Sequence, residues 1–330
     1  MKSPYTGKEM RSIYEQDTWR FRNEEFKCYR LFWYDDTVGE RFTTSEEDDA
    51  AYLQVTNQYR EKYGIPYTDE IIALRKRYKV SAAKMAKLLG LGTNQYRMYE
   101  NGEVPNLSNG KLIKSAMNPK IMLDFLRDAK QILTDTDYRK IEERLKKIID
   151  NNSQYEVLLY EKKRLYSSER GIANGFGELS LERLKKIIIY ILNNCETVWV
   201  TKLNKILFYL DFCAYRNFGQ AMTGLSYRAI DYGPVPDKWE KVYSEFDEVQ
   251  QIPKQIDKCS GNIIKTDTII KDLSCLFEKE QELLKYICQN LGKKSATALS
   301  KLSHEEDVWK RHCATHSLIP FQEAFFIKAL

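Results

Sequence analysis

Residues 202–236 read KLNKILFYLDFCAYRNFGQAMTGLSYRAIDYGPVP, and this stretch decides how the second half of the chain is interpreted. It lies in a region of mainly helical pattern, which MTGLSYRAIDYGPVP interrupts with the aromatic, glycine and proline content of short strands or extended loops. A second interruption, CSGNIIKTDTII, begins at Cys259. We therefore predict a helical C-terminal domain with a minor β element over residues 178–330.

Length and composition set the broad class. A chain of 330 residues exceeds the size at which one hydrophobic core keeps growing, so we expect several domains and a mainly α, multidomain fold. Its longest apolar run, IIIYIL at 187–192, is far below the roughly 20 residues of a membrane span. The first ten residues lack the apolar stretch of a secretory signal, which predicts a cytoplasmic protein that does not bind membranes.

Cysteine usage fits that location. The seven cysteines are odd in number and form no C-x-x-C pair. We expect them to be reduced, and most of them to be small core residues, because no disulfide framework is recognisable.

The excess positive charge is concentrated in one segment. Residues 64–120 hold ten Lys or Arg against four Asp or Glu. Within it, Ser81 is placed to cap a helix, Gly90 to end that helix with a positive φ, and Thr93–Glu100 to form the next helix with Tyr96 and Tyr99 buried. Ser108 or Asn109 would cap the helix that follows.

MAKLLGLGTNQYRMYENG, residues 85–102, resembles the helix-turn-helix of Xre/Cro-type bacterial repressors. The resemblance implies a DNA-binding domain over 64–118 whose helix from Thr93 enters the major groove of operator DNA. Such repressors usually act as homodimers on paired half-sites. The candidate DNA-binding residues are Ser81, Lys84, Thr93, Asn94, Gln95, Arg97, Lys111 and Lys114. Asn94, Gln95 and Arg97 are the expected base readers, and the lysines the phosphate contacts. Ala82 stands where the family often has glutamine; the alternative is a basic helical bundle without DNA.

The N-terminal segment has the spacing of a zinc ribbon without its cysteines. SPYTG at 3–7 and DDTVGE at 35–40 fit two knuckle frames, with an aromatic-rich hairpin predicted between them over 18–34 and a helix from Thr44 or Ser45 to Gly64 after them. Followed by this helix-turn-helix, the segment 1–63 resembles the ribbon of zinc-ribbon/helix-turn-helix antitoxins. The ligand positions carried over are Ser3, Thr6, Asp35 and Val38. Because hydroxyls bind zinc poorly and valine does not bind it, we predict a zinc-free domain; the alternative is that the frames match by chance.

Residues 119–177 are expected to form a helical linker. PKIMLDFLRDAKQIL, DTDYRKIEERLKKIIDNN and YEVLLYEKKRLY each carry helical periodicity, and Pro119 and Thr134 or Asp135 suit helix starts. The chain then loses its pattern in SSERGIANGFGE, where we place the boundary before the C-terminal domain.

The C-terminal domain resembles the Panacea, or SocA-like, domain of bacterial and phage antitoxins. The residues that match the family pattern are Lys202, Leu203, Lys205, Leu207, Tyr209, Asp211, Thr223, Gly224, Tyr227, Ala229, Tyr232, Gly233, Pro234, Val235, Leu302, Ser303, His304 and Trp309. The resemblance implies a module that binds and neutralises a cognate toxin protein. The candidate toxin-binding residues are Tyr227, Asp231, Tyr232, Gly233, Pro234, Val235, Trp239 and His304. DYGPVPDKW suits a stiff presentation loop, or alternatively an internal turn that packs Tyr232 and Trp239 into the core.

Catalysis is not expected. His304, His312 and His316 lie close together with Cys313, and the last two histidines could share a helix face as metal ligands. The glutamate of H-E-x-x-H is missing, however, and no nucleophile elbow or phosphate-binding glycine loop is recognisable. We predict an antitoxin that neutralises its toxin and represses its own operon, without cofactor, metal or enzymatic activity. The alternative is a repressor of a mobile element or phage whose C-terminal domain senses a partner or ligand.

Overall fold

The computed structural model describes residues 1–151, 169–256 and 259–330, and they form two compact units. The first comprises residues 1–55 and the part of the chain from residue 162 onward, and the second comprises residues 56–161. The helical pattern predicted at 155–166 lies outside the described residues. The first and last predicted segments thus share one unit, which the prediction of four consecutive segments did not anticipate.

The chain begins with an antiparallel three-stranded sheet in the order β1-β2-β3. Its strands are β1 (Arg11–Phe21), β2 (Glu24–Asp35) and β3 (Glu40–Phe42). The hairpin predicted over 18–34 is confirmed, but it is longer and turns at residues 22–23, where Phe21 pairs with Glu24. Phe26, Cys28 and Phe32 are the buried hydrophobic side chains of β2. Helix α1 (Ser45–Tyr63) follows, as predicted, with acidic residues in its first turn.

Among its described residues, 56–151, the second unit contains six further α-helices. They are α2 (Thr68–Tyr78), α3 (Ala82–Leu88), α4 (Gln95–Glu100), α5 (Leu107–Ala116), α6 (Pro119–Asp128) and α7 (Asp135–Asp150). Their apolar faces share one core that includes Ile71, Met85, Tyr96 and Ile113. Ser81 and Thr134 cap α3 and α7 as predicted. The cap of α5 is Asn106, not Ser108 or Asn109, and its side chain accepts a hydrogen bond from the Asn109 amide.

The C-terminal part of the first unit is built around one buried helix. Its elements are α8 (Leu181–Asn194), α9 (Val200–Phe218), β4 (Tyr227–Ile230), β5 (Gly233–Pro236), α10 (Trp239–Val242), β6 (Gln250–Ile256), β7 (Cys259–Lys265), α11 (Glu278–Leu291), α12 (Ala296–Glu305) and α13 (Asp307–Cys313). Every residue of α9 from Lys202 to Tyr215 is buried. β4 pairs with β5 and β6 with β7, which confirms the predicted minor β element. A 3-10 segment, Phe321–Phe326, also packs on α9.

Aromatic side chains join the two chain segments of the first unit. The Tyr29 ring stacks on Phe325 at 4.6 Å between centroids, and Phe325 in turn meets Tyr215 of α9 at 6.0 Å. At Gly219 the backbones approach so closely that a Cβ would lie 2.5 Å from the Ala50 carbonyl oxygen. The N-terminal sheet is therefore packed against the α9 core rather than standing alone.

Candidate functional site

Asp211 organises the segment between α9 and β4. Its carboxylate is fully buried and accepts hydrogen bonds from the Met222 and Thr223 amides at 2.8 and 2.9 Å, and from the hydroxyls of Thr223 and Tyr227. Burial raises its pKa, while these donors act in the opposite direction by stabilising the charged form. Four donors on one carboxylate fix the entry of the chain into the β4–β5 hairpin.

Lys205 lies under the turn of that hairpin. Its ammonium group is buried and donates to the Pro234 carbonyl at 3.0 Å. Desolvation lowers the pKa of Lys205 to about 7. Gly233, with φ +95°, leaves room for this amine, because a Cβ there would lie 2.6 Å from Ser303 Oγ and 2.8 Å from Lys205 Nζ. Only glycine fits both the backbone conformation and the space.

Two contacts from α12 and α13 hold the other side of the hairpin. Trp309 Nε1 donates to the Ile230 carbonyl at 2.9 Å, and its indole stacks on the His304 ring at 4.2 Å. Burial and the neighbouring Lys205 lower the pKa of His304. Trp309 therefore contacts the hairpin directly, and His304 packs on Trp309.

The hairpin presents a small polar and aromatic tip. Tyr232 is 72% exposed, and Asp231 is exposed beside it. The Asp231 carboxylate meets His316 Nε2 at 2.8 Å. The tip therefore offers one exposed ring and one exposed carboxylate on a turn that contacts Lys205 and Trp309.

The eight candidate toxin-binding residues divide between this tip and its support. Tyr227, Gly233, Pro234 and Val235 are buried, and Trp239 and His304 are partly buried. The exposure of Tyr232 rules out an internal turn that packs this ring into the core. Asp231 and Tyr232 can contact a partner directly, whereas Tyr227 and Gly233 can act only by shaping the hairpin.

In the second unit, α3 and α4 are joined by a short turn. Gly90 has φ +63°, as predicted, and the Leu91 amide donates to the Ala86 carbonyl at 2.8 Å. Tyr96 and Tyr99 are buried on the inner side of α4. The helix begins at Gln95 rather than at Thr93, because Thr93 and Asn94 form the turn before it.

The candidate DNA-binding residues lie around this turn. Thr93, Asn94, Arg97, Lys111 and Lys114 are exposed. Four candidates have partners within the unit: Lys84 forms an ion pair with Asp137 at 2.7 Å, Gln95 donates to Glu103 at 3.2 Å, Lys114 donates to the Gly64 carbonyl at 3.4 Å, and Ser81 caps α3. Of the three predicted base readers, Asn94 and Arg97 are exposed, whereas Gln95 is partly buried.

The two predicted knuckles lie next to each other, since Thr6 of the first contacts Asp35 of the second. Each closes with the same backbone bond, from the Gly7 amide to Ser3 at 3.0 Å and from the Gly39 amide to Asp35 at 2.8 Å. The buried Asp35 carboxylate accepts from Thr6 Oγ1 at 2.8 Å and from the Thr37 amide at 2.8 Å. The hydrogen bond from Ser3, followed by those from Thr6 and the backbone, lowers the pKa of Asp35 to about 2.

Three of the four carried-over ligand positions thus meet through hydrogen bonds, and the fourth does not. The Val38 side chain is 44% exposed. Within residues 1–151, 169–256 and 259–330, no group of three or more potential ligand side chains is arranged to hold a metal. The donor set that is present, two hydroxyls and one carboxylate that they already occupy, does not suit zinc.

The C-terminal histidines do not share a helix face. α13 ends at Cys313, and His316, with φ +48°, lies beyond it. His312 contacts Ser317 Oγ through Nδ1 and Glu323 through Nε2, each at 2.9 Å. His316 instead pairs with Asp231, so the two rings serve different contacts.

Comparison with known families gives one match. The model of the family described as antitoxin SocA-like, Panacea domain, matches residues 203–310, from α9 to α13. This part of the chain is therefore similar to SocA-like antitoxin domains. Neither the curated proteins nor the solved structures provided a match. Among the described residues, no helix combines the length and the apolar character needed to cross a membrane.

One feature of the candidate site was not predicted from the sequence. The packing of Lys205 and Ser303 against Gly233 was not foreseen, although all three belong to the recognised pattern. Helical spacing does show that Lys205 falls on the same face of α9 as Tyr209, since they are four residues apart. That regularity could have indicated a buried lysine.

Proposed function

We propose that this protein is an antitoxin that neutralises a cognate toxin protein by direct binding through its first unit, and that its second unit represses the operon by binding DNA. The observation that carries the proposal is the match of residues 203–310 to the SocA-like antitoxin family. Toxin binding is assigned to the exposed tip of the β4–β5 hairpin, and operator binding to α4 and the turn before it. The mechanism is binding alone, with no covalent chemistry.

The hairpin tip supports the first assignment. An exposed tyrosine on a rigid turn supplies contact area at a low cost in conformational entropy, and such residues often dominate binding energies. Tyr232 has that position, and the buried contacts of Gly233, Lys205 and Trp309 restrict the movement of the turn. A carboxylate at Asp231 adds a partner for a basic group on the toxin.

The arrangement of α3 and α4 supports the second assignment. Asn94 and Arg97 are exposed while Tyr96 and Tyr99 anchor the opposite side of α4. Asparagine can pair with adenine and arginine with guanine in the major groove. Residues 64–120 hold ten basic and four acidic residues, and this excess of positive charge supplies a sequence-independent attraction to phosphates.

Substitutions at the tip test toxin binding. Tyr232→Ala and Asp231→Ala together should weaken binding to the product of the adjacent toxin gene by at least about tenfold, because an exposed aromatic anchor and a charge are lost. Tyr286→Ala is the control, since Tyr286 is an exposed tyrosine, 48% accessible, that lies on α11 and away from the tip residues. The measurement is titration calorimetry. Equal affinity of both variants would exclude the tip as the contact surface.

Substitutions on α4 test DNA binding separately. Asn94→Ala and Arg97→Ala should each reduce affinity for the operator by roughly 5- to 150-fold, the range of a lost base contact. Lys120→Ala, an exposed basic residue of α6, is the control for net charge. Mobility shifts on the promoter fragment of the operon measure the effect. If the control and the α4 variants behave alike, base reading by α4 is wrong.

A further inference from the structure

Two cysteines meet at a junction of three helices in the first unit. Cys195 directly follows the last residue of α8, and Cys288 lies in the last turn of α11. Both are free thiols; Cys195 is partly exposed, whereas Cys288 is 4% exposed. The Gly292 amide donates to the Cys288 carbonyl at 2.8 Å, and a Cβ on Gly292 would lie 2.9 Å from Cys195 Sγ, so the two cysteines are neighbours.

The backbone around this pair holds the two helix ends together. The Glu196 amide donates to the Gly292 carbonyl at 3.0 Å, and Lys202 Nζ from α9 donates to the same oxygen at 2.6 Å. A Cβ on Gly292 would lie 2.9 Å from Cys195 Sγ. Residues 195–196 therefore lie against Gly292, one helical turn after Cys288.

The local charges favour ionisation of one thiol over the other. The hydrogen bond from Cys288 and the nearby Lys202 ammonium lower the pKa of Cys195. The same hydrogen bond and burial raise the pKa of Cys288. A thiolate that is partly exposed, next to a buried thiol, has the arrangement of an attacking and a resolving cysteine.

We propose that Cys195 and Cys288 form a peroxide-responsive thiol pair that closes into a disulfide. The Cys195 sulfur attacks a hydroperoxide, the O–O bond breaks, and the leaving oxygen departs as water, or as an alcohol, with the thiol proton; Cys195 becomes a sulfenic acid. The Cys288 sulfur then attacks the Cys195 sulfur, the S–O bond breaks, and water leaves with the second thiol proton. Two thiols are oxidised and one peroxide is reduced.

The cross-link would join the end of α8 to α11 across a long stretch of chain. A disulfide that closes a long loop restricts the unfolded chain most strongly. Oxidation should therefore raise the unfolding temperature by several degrees and make the first unit harder to digest with protease. The assignment depends on these thiols alone and stands or falls independently of toxin or DNA binding.

The test uses the full chain and hydrogen peroxide. After oxidation, alkylation and tryptic digestion under denaturing conditions, mass spectrometry should find the peptide 187–202 linked to 286–293, each of which holds a single cysteine. Dithiothreitol should release the link and return the unfolding temperature to its reduced value. Cys195→Ser should abolish both the link and the shift, whereas Cys275→Ser, at another partly buried cysteine, should retain them.

Two results would overturn the proposal. One is oxidation of Cys195 to its sulfinic acid without any peptide link. The other is a linked product that is no more abundant for the 195–288 pair than for pairs that include Cys275 or Cys313. Should Cys195→Ser be unstable, Cys288→Ala provides a second variant, and it should accumulate the Cys195 sulfenic acid, which dimedone captures.

Discussion

At the scale of single residues, the most unusual group is the lysine beneath the β4–β5 hairpin. Lys205 is buried, its amine donates to one carbonyl oxygen, and its pKa falls to about 7 because burial penalises the charged form. Burying its ammonium group away from water costs free energy at neutral pH. The hydrogen bond to the Pro234 carbonyl positions the turn.

The lysine gives the stability of the protein a specific pH dependence. Between about pH 7 and the ordinary lysine value of 10.5, the unfolded chain holds more protons than the folded one, so this group raises the free energy of unfolding as pH rises. The free energy of unfolding contributed by this lysine rises by at most about 1.4 kcal/mol per pH unit. The Lys205→Met variant lacks this contribution.

Urea unfolding of both proteins from pH 7 to pH 10 measures the effect. The stability of Lys205→Met relative to the wild type should fall steadily across this range. The exposed Lys285→Met is the control and should keep a constant difference from the wild type. A constant difference for Lys205→Met as well would mean that the lysine is charged throughout.

Single residues could be predicted from the sequence only where their role depends on neighbours in the chain. Ser81, Gly90, Tyr96 and Tyr99 behave as predicted, because caps, turn glycines and the inner face of a helix depend on neighbours in sequence. The exposure of Tyr232 could not be predicted in this way, since it depends on how α12 and α13 support the hairpin from far along the chain.

At the scale of elements, the hairpin turn depends on one glycine. Gly233→Ala should reduce the free energy of unfolding by more than about 3 kcal/mol, because it adds backbone strain at φ +95° and places a methyl group against Ser303 and Lys205. Gly7→Ala is the matched control: φ is +69°, and no atom lies within 4 Å of its Cβ. It should cost only about 1–2 kcal/mol. Equal losses in denaturant unfolding would contradict the packing at the hairpin.

The paired knuckles make a second prediction about an element. Asp35→Asn should speed hydrogen exchange at the Gly7 and Gly39 amides, since the carboxylate that joins the two turns is lost, whereas Asp36→Asn, at an exposed neighbour paired with Arg11, should not.

The acid dependence of the knuckles follows from the same carboxylate. With a pKa lowered to about 2 from 3.8, Asp35 contributes stability above about pH 4 and loses it as pH falls through 2. Exchange of both amides in the wild type, corrected for intrinsic rates, should therefore stay constant from pH 7 to pH 4. If the Gly7 and Gly39 amides exchange as slowly in Asp35→Asn as in the wild type, the turns close without this carboxylate.

Element bounds were predicted best for long periodic helices and worst for short ones. The helix predicted from Thr93 begins two residues later, and the cap of α5 is Asn106, because three polar residues compete for that position. The knuckle frames were recognised from spacing, but the hydrogen bonds from Ser3 and Thr6 to Asp35 require the sheet to bring residues 29 or more apart together.

At the scale of the whole molecule, the order of segments along the chain differs from their grouping in space. The N-terminal sheet packs on α9 and on Phe325, so residues from both ends of the sequence build the unit that we assign to toxin binding. Sequence reasoning placed the boundaries from composition and periodicity, which report local structure. Contacts such as Tyr29 with Phe325 join residues too far apart in sequence for any periodicity to reveal them.

The central claim is that toxin neutralisation is a binding function of the first unit, separable from DNA binding. The most direct measurement is growth of cells that express the adjacent toxin gene alone, with the wild-type chain, or with the Asn94→Ala, Arg97→Ala double variant. We predict arrest with the toxin alone and full growth with either protein, although the double variant no longer represses the operon. Continued arrest in the presence of the wild-type chain would contradict the antitoxin assignment. Growth with the wild type but arrest with the double variant, each expressed together with the toxin, would contradict the separation of the two functions.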